Sequence, residues 1–201
     1  MPKVTSIKAA VKTKGRYNIF IDGEYSFSLA ETQLIESGIK IGRELTPEEL
    51  VGLKDESIFG KAYARALEYI FRRLRSEKEL QDYAWRKQWP EELTQKVLKR
   101  LTEKGYVNDG EFAKAWVRSR QATKPTSRRK LLLELRQKGV ANDHIEQALQ
   151  DNEHDEHHEL RQIVQKRRKR YTDEQKLIAY LARQGFGFDA IKQVLQESEE
   201  A

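Results

Sequence analysis

The chain has 201 residues, 38 Lys+Arg against 32 Asp+Glu, no cysteine, 35% charged and 38% hydrophobic residues; average globular domains run at roughly 25% and 45%, so little core serves much surface. These figures exclude a large multidomain enzyme, a disulfide scaffold, thiol catalysis, and Cys-based zinc or iron–sulfur sites. No apolar run approaches the roughly 18 residues that span a bilayer, and the opening MPKVTSIKAAVKTKGR lacks the apolar centre of a signal peptide, so the expectation is a soluble, cytoplasmic protein with no membrane partner.

Arg16–Ile21 and Glu24–Leu29 flank Asp22-Gly23, a pair suited to a type I′ turn because both central residues take positive φ. Tyr17, Ile19 and Ile21 alternate with polar neighbours at period 2, and the two runs predict a β-hairpin. A lone hairpin is marginal, so a third strand around Val4–Val11, a short helix at Ala30–Glu36, or the helices beyond must cover its apolar face.

From about Gly60 the hydrophobic period becomes helical. Ser76, Ser127 and Asp173 each carry an oxygen able to cap a first turn, and Ser76-Glu77-Lys78-Glu79 adds the capping-box pattern. Four residues after these caps come Leu80, Leu131 and Leu177; thirteen after, Trp89, Val140 and Phe186; twenty-two after, Leu98, Leu149 and Leu195. Shared offsets at a spacing of 51 and then 46 residues predict tandem helical units that bury their apolar faces on one another. Each unit holds three helices, led by Ala62–Arg73, Gly110–Gln121 and Glu153–Arg170, with turns at Trp89-Pro90, Gly139 and Gly185. Lys124-Pro125-Thr126 breaks the second unit after its lead helix, and Gly105 ends the first unit. The predicted architecture is mainly α: three tandem three-helix repeats at 60–108, 109–151 and 152–201 in an elongated, curved body, behind a small β-hairpin domain at 1–59.

The charge is uneven. Residues 1–59 carry 8 basic and 9 acidic side chains, 60–150 carry 21 and 12, and 151–201 carry 9 and 11. A central excess of +9 attracts polyanions or an acidic protein surface. No phosphate-cradling glycine pattern occurs, and Gly185-Phe186-Gly187 reads as a helix-to-helix turn. His154 and His158 stand four apart in HDEHH and could grip a metal, but the acids around them suit a solvated first turn; no metal, no cofactor and no catalysis are expected. The helix pairs resemble helix-turn-helix units, yet Asp143–Asp151 holds three acids and no Lys or Arg, so major-groove reading is disfavoured and backbone or protein contact preferred. Trp85, Trp89 and Trp116 could stack on unpaired bases, with packing between helices the favoured use. Lys166–Arg170 reads equally as a nucleic-acid patch or as cations complementing a helix C-terminus.

Several stretches together resemble the RecX family of RecA regulators. They are Ala66-Leu67, Ser76-Glu77-Lys78-Glu79-Leu80, the run Leu101 to Asp109 through Gly105-Tyr106-Val107-Asn108, then Phe112 to Arg120, and Leu135-Arg136-Gln137-Lys138-Gly139-Val140. The third repeat matches in pattern more than in residues, and Ile21-Asp22-Gly23-Glu24 is similar to an extension found in some members. Trp89-Pro90 departs from a Lys-Gly-type turn. The resemblance implies a monomer without catalytic site that lodges in the groove of the RecA–single-stranded DNA filament and restrains strand exchange, ATP hydrolysis and coprotease function, hence recombination, DNA repair and the SOS response. The basic residues expected to make contact are Arg72, Arg73, Arg75, Arg118, Arg120, Arg128, Arg129, Lys130, Arg136 and Lys138. The alternative is direct binding of single-stranded nucleic acid by the same surface.

Overall fold

The computed structural model describes residues 1–11, 13–123, 126–151, 155–171 and 173–198. Three strands and ten helices occur among them. Two units divide the chain, one formed by Met1–Arg73 with Gln88–Leu101, the other by Leu74–Lys87 with the chain from Thr102 onward.

In the first unit β1 (Val4–Ala9), β2 (Arg16–Ile21) and β3 (Glu24–Ala30) form an antiparallel sheet in the order β1-β2-β3. Asp22 at φ 50° and Gly23 at φ 89° form the tight turn that their types call for. The third strand expected near Val4 is therefore present, and neither sheet edge is left bare. Along β1 the chain at Gly42–Leu45 returns, with Val4 N–H donating to Arg43 O at 2.9 Å. Along β3, Ser57 donates its hydroxyl to Ser28 O at 2.7 Å and is itself buried. Covered edges resist pairing with other chains. Val4, Ile19, Ile21, Phe27, Leu29, Ile39 and Leu45 make the core of this unit.

Ser57 belongs to α2 (Pro47–Phe71), which follows α1 (Glu31–Ser37). Here the expectation of helix from about residue 60 is corrected: α2 begins at Pro47. Thr46 accepts from Glu49 N–H, the Glu49 side chain returns to the Thr46 backbone, and Pro47 occupies the first turn, where its missing N–H costs nothing. The lead helix of the first repeat is thus continuous with the element that covers the sheet. α4 (Glu91–Glu103) completes the helices of this unit apart from its last turn.

The second unit takes α3 (Glu77–Arg86), α5 (Asp109–Thr123), α6 (Arg128–Gln137), α7 (Asn142–Asp151), α8 (Glu156–Arg167), α9 (Glu174–Arg183) and α10 (Phe188–Glu197). The three expected caps form, with Ser76, Ser127 and Asp173 accepting from the N–H of Glu79, Lys130 and Lys176. The repeat offsets reappear in the packing. Leu131, Leu135, Val140, Ile145, Ala148 and Leu149 line one core, and Leu177, Leu181, Phe186, Ile191, Val194 and Leu195, each 46 positions later, line the next. Gly139 at φ 79° and Gly185 at φ 92° end α6 and α9, after which the N–H of Val140 and Phe186 bond back to Leu135 O and Leu181 O. In the first repeat the same left-handed position, twelve after the cap, is held by Gln88 at φ 56°. Lys124-Pro125 lies outside the described residues, between the end of α5 and the start of α6.

Candidate partner-binding surface

Successive repeats in the second unit are joined by a recurring clasp. The Ser76 hydroxyl, besides capping α3, donates to Lys138 O at 2.7 Å, and the Ser127 hydroxyl, besides capping α6, donates to Gln184 O at 2.9 Å. Each serine therefore holds the turn of the following repeat. Charged side chains reinforce both joints: Lys138 Nζ meets Glu79 at 2.6 Å, and Lys130 Nζ donates to Gln184 Oε1 at 2.7 Å. Asp109 adds a further link, since its carboxylate accepts from Glu77 N–H at 2.8 Å at the start of α3. Burial pushes the Asp109 carboxyl above its ordinary value, and that hydrogen bond only partly opposes the shift.

A second network sits between α5 and α6. The Trp116 indole N–H donates to Glu134 at 3.0 Å, and Arg120 Nε reaches the same oxygen at 2.8 Å. The Arg120 guanidinium lies 4.8 Å from the Trp116 ring centroid and Lys138 Nζ lies 5.3 Å from it. Trp116 thus takes a cation on its ring twice over, with its one polar atom bonded to a carboxylate.

These contacts sort the ten basic residues. Arg120 and Lys138 are tied into the internal network. Arg128 pairs with Glu146 and Arg72 with Glu68, the latter at 3.0 Å. Lys130 is half-buried against Gln184, and Arg75 is half-buried. Arg73 is exposed. Arg118, Arg129 and Arg136 are exposed and make no ion pair among the described residues; Arg136 Nε donates to Asn142 at 3.0 Å. Arg129, Leu133 and Arg136 recur at i, i+4 and i+7, so they share one face of α6. Arg129, Lys130 and Leu133 line a groove of about 480 Å³ together with Arg183 of α9. Glu134, the carboxylate at that groove, is the one held by Trp116 and Arg120.

Sequence reasoning omitted Arg183, because its place beside Arg129 depends on the clasp and not on spacing. It also misjudged one aromatic. Trp116 is half-buried and its ring lies 5.8 Å from that of Phe112 at a tilt of 30°, as helix packing allows, but Trp85 is 79% exposed. The inward stripe of α3 is Leu80 and Ala84, and one further residue turns Trp85 about 100° away from it.

Two of the three acids of α7 are engaged. Asp151 holds Lys114 at 3.0 Å and keeps that ammonium above its ordinary value, while Glu146 takes Arg128. At α8, Asp155 caps the helix by accepting from the N–H of His157 and His158, both at 3.0 Å, and these bonds hold its carboxyl below the usual range. His154 lies outside the described residues. His158 Nε2 meets the Gln162 amide nitrogen at 2.8 Å, and no group of three His, Asp or Glu among the described residues is arranged to hold a metal. No helix among them is long and apolar enough to cross a membrane.

Family models match four segments: the "Regulatory protein RecX N-terminal domain" over residues 2–46, and the "RecX, first three-helix domain", second and third, over residues 62–101, 108–149 and 155–195. The chain is 36% identical over 149 residues to Regulatory protein RecX of Bacillus pumilus, covering 74% of this chain and 57% of that protein. For Regulatory protein RecX of Bacillus subtilis the identity is 34%, with 74% and 56% covered. The matched region thus spans a little over half the length of these curated relatives. A crystal structure of regulatory protein RecX superposes with a TM-score of 0.81 at 28% identity, over 98% of this chain and 100% of that one. The RecX crystal structure from Lactobacillus salivarius gives 0.62 at 25% identity, over 71% and 97%.

Proposed function

Because this chain belongs to the RecX family of regulatory proteins, we propose that it binds the filament that the RecA recombinase forms on single-stranded DNA and restrains strand exchange, ATP hydrolysis and coprotease action. It works in the cytoplasm as a monomer, by binding alone, without cofactor or catalytic step, and so tempers recombination, DNA repair and the SOS response. The observation that carries the reading is the groove where Arg129, Lys130 and Arg183 surround exposed Leu133, next to Arg136 on the same face of α6. Four of the ten candidate cations hold internal carboxylates, whereas Arg118, Arg129 and Arg136 are left with unneutralised charge for an outside partner.

A filament repeats its binding surface, so repeats two and three can each engage a subunit, and every added contact raises the effective concentration of the next. A ligand that prefers one filament state shifts the assembly toward that state. The second reading, direct binding of single strands by the same cations, is favoured by the +9 balance of residues 60–150. Titration into preformed RecA filaments tests both. Inhibition of ATP hydrolysis at one molecule per many RecA subunits, weakened by Arg129→Glu with Arg183→Glu, supports filament binding. Tight binding to naked single strands with a steep log–log salt slope, unaffected by added RecA, supports the second reading.

A further inference from the structure

Two motifs of the third repeat stand outside this reading: the histidines that open α8 and the basic run that closes it. His158 of the first and Arg168 and Lys169 of the second line one cavity. His158, Arg161, Gln165 and Arg168 recur every three or four positions, so they form a stripe along α8 roughly 15 Å long. With Lys169 they line a cavity of about 830 Å³ whose facing wall comes from α10 through Val194 and Glu197.

The stripe is cationic inside a repeat that is not. Residues 151–201 carry 9 basic and 11 acidic side chains, yet among the described residues three cations line this one cavity beside one carboxylate, Glu197. That carboxylate already faces His157 Nε2 at 3.6 Å. Arg168 Nη1 donates to Ser198 O at 2.8 Å, which fixes its guanidinium at the rim. Arg161 and Lys169 are exposed and make no ion pair among the described residues. We propose that this cavity binds a nucleoside diphosphate or triphosphate, with Arg161, Arg168 and Lys169 receiving the phosphates.

Size and charge choose this ligand class. Pockets that enclose small molecules run at roughly 300–1,000 Å³, and a nucleotide fills most of such a space where a lone phosphate does not. Guanidinium and ammonium groups are the side chains that bond phosphate oxygens most strongly. A long strand laid over this repeat meets its net negative charge, whereas a small ligand answers only to groups within a Debye length of roughly 8 Å.

The test uses the full chain without recombinase, so its outcome is independent of filament binding. Labelled ADP is titrated at low salt, pyrophosphate is added as competitor, and a labelled single-stranded oligonucleotide is titrated in parallel. Saturation at one ADP per chain, competed by pyrophosphate and weakened about tenfold by Arg161→Glu or by Lys169→Glu, is expected. Lys176→Glu on α9 leaves ADP affinity unchanged. Absence of saturable ADP binding overturns the proposal, and so does ADP binding indifferent to both cavity variants. Loss of oligonucleotide binding in those variants with ADP binding intact also overturns it, and assigns the stripe to a nucleic-acid backbone.

Discussion

Ser127 and Gln184 are 57 positions apart, yet the serine hydroxyl sits 2.9 Å from the glutamine carbonyl oxygen while accepting from Lys130 N–H at 3.2 Å. One hydroxyl therefore caps a helix and holds the next repeat, a double task that only a group both donating and accepting can perform. Ser127→Ala removes the cap and orphans the carbonyl, for a cost of about 2 kcal/mol in denaturant unfolding. Ser127→Asp keeps the cap acceptor but lacks the donor, and should be at least as destabilised. Asp173 holds the equivalent place in the third repeat and needs no donor for a following turn, so Asp173→Ser should be nearly neutral. A stable Ser127→Asp variant would remove the clasp from the account.

The turn that receives this hydroxyl explains its glycine. A Cβ built on Gly185 would stand 2.4 Å from Ser127 Oγ, and one on Gly139 would stand 2.5 Å from Lys78 Cβ. Positive φ alone would tolerate another residue at some cost, as Gln88 at φ 56° in the first repeat demonstrates. Gly185→Ala should accordingly lose more than about 2 kcal/mol, since backbone strain and the clash both act. Gln88→Gly should gain about 0.5–1 kcal/mol by relieving the left-handed strain. Comparing the two midpoints in urea checks both signs.

Most of the helical architecture could be read from residue types, because caps, glycines and apolar offsets act over one or two turns. The clearest miss was α2, whose start is written locally in Thr46-Pro47-Glu48-Glu49 but lies ahead of the change in hydrophobic period. The candidate surface was less legible for a physical reason. Lys138 meets its partner Glu79 across 59 positions, Arg128 meets Glu146 across 18, and Arg183 lines the same groove as Arg129 from another repeat. A count of basic residues cannot distinguish a cation held by a distant carboxylate from one left facing solvent.

That distinction predicts opposite effects for residues that look alike in sequence. Arg120→Ala leaves Glu134 without its cation and the Trp116 ring with only Lys138, and should lower stability by about 1–3 kcal/mol, with filament inhibition falling only as folded protein is lost. Arg129→Glu on the open face of α6 should change unfolding by less than about 0.5 kcal/mol while weakening inhibition of RecA ATP hydrolysis several-fold. Thermal unfolding and the ATPase titration, run on both variants, separate the roles. Equal loss of inhibition at matched folded fractions would contradict the assignment.

Asp109 and Asp155 should give the acid limb of the stability profile two opposing contributions. Burial raises the native pKa of Asp109, so the folded state binds its proton more tightly than the unfolded chain does. Its effect is a loss of stability as pH rises from the ordinary aspartate range through the raised native value, and that loss persists at neutral pH. Asp155 has the reverse sign: its native pKa is lowered by the His158 and His157 amides, so its contribution is present above the ordinary value and disappears as pH falls through the lowered one. Asp109→Asn keeps an acceptor for Glu77 N–H without the charge, and should be as stable as the parent protein or more so at pH 7, with the gap closing toward pH 3. Asp155→Asn should be less stable at pH 7, also converging at acid pH. Unfolding free energies between pH 3 and pH 7 decide the matter, and a parent-minus-variant difference of the same sign for both residues would contradict the burial of Asp109 as the cause.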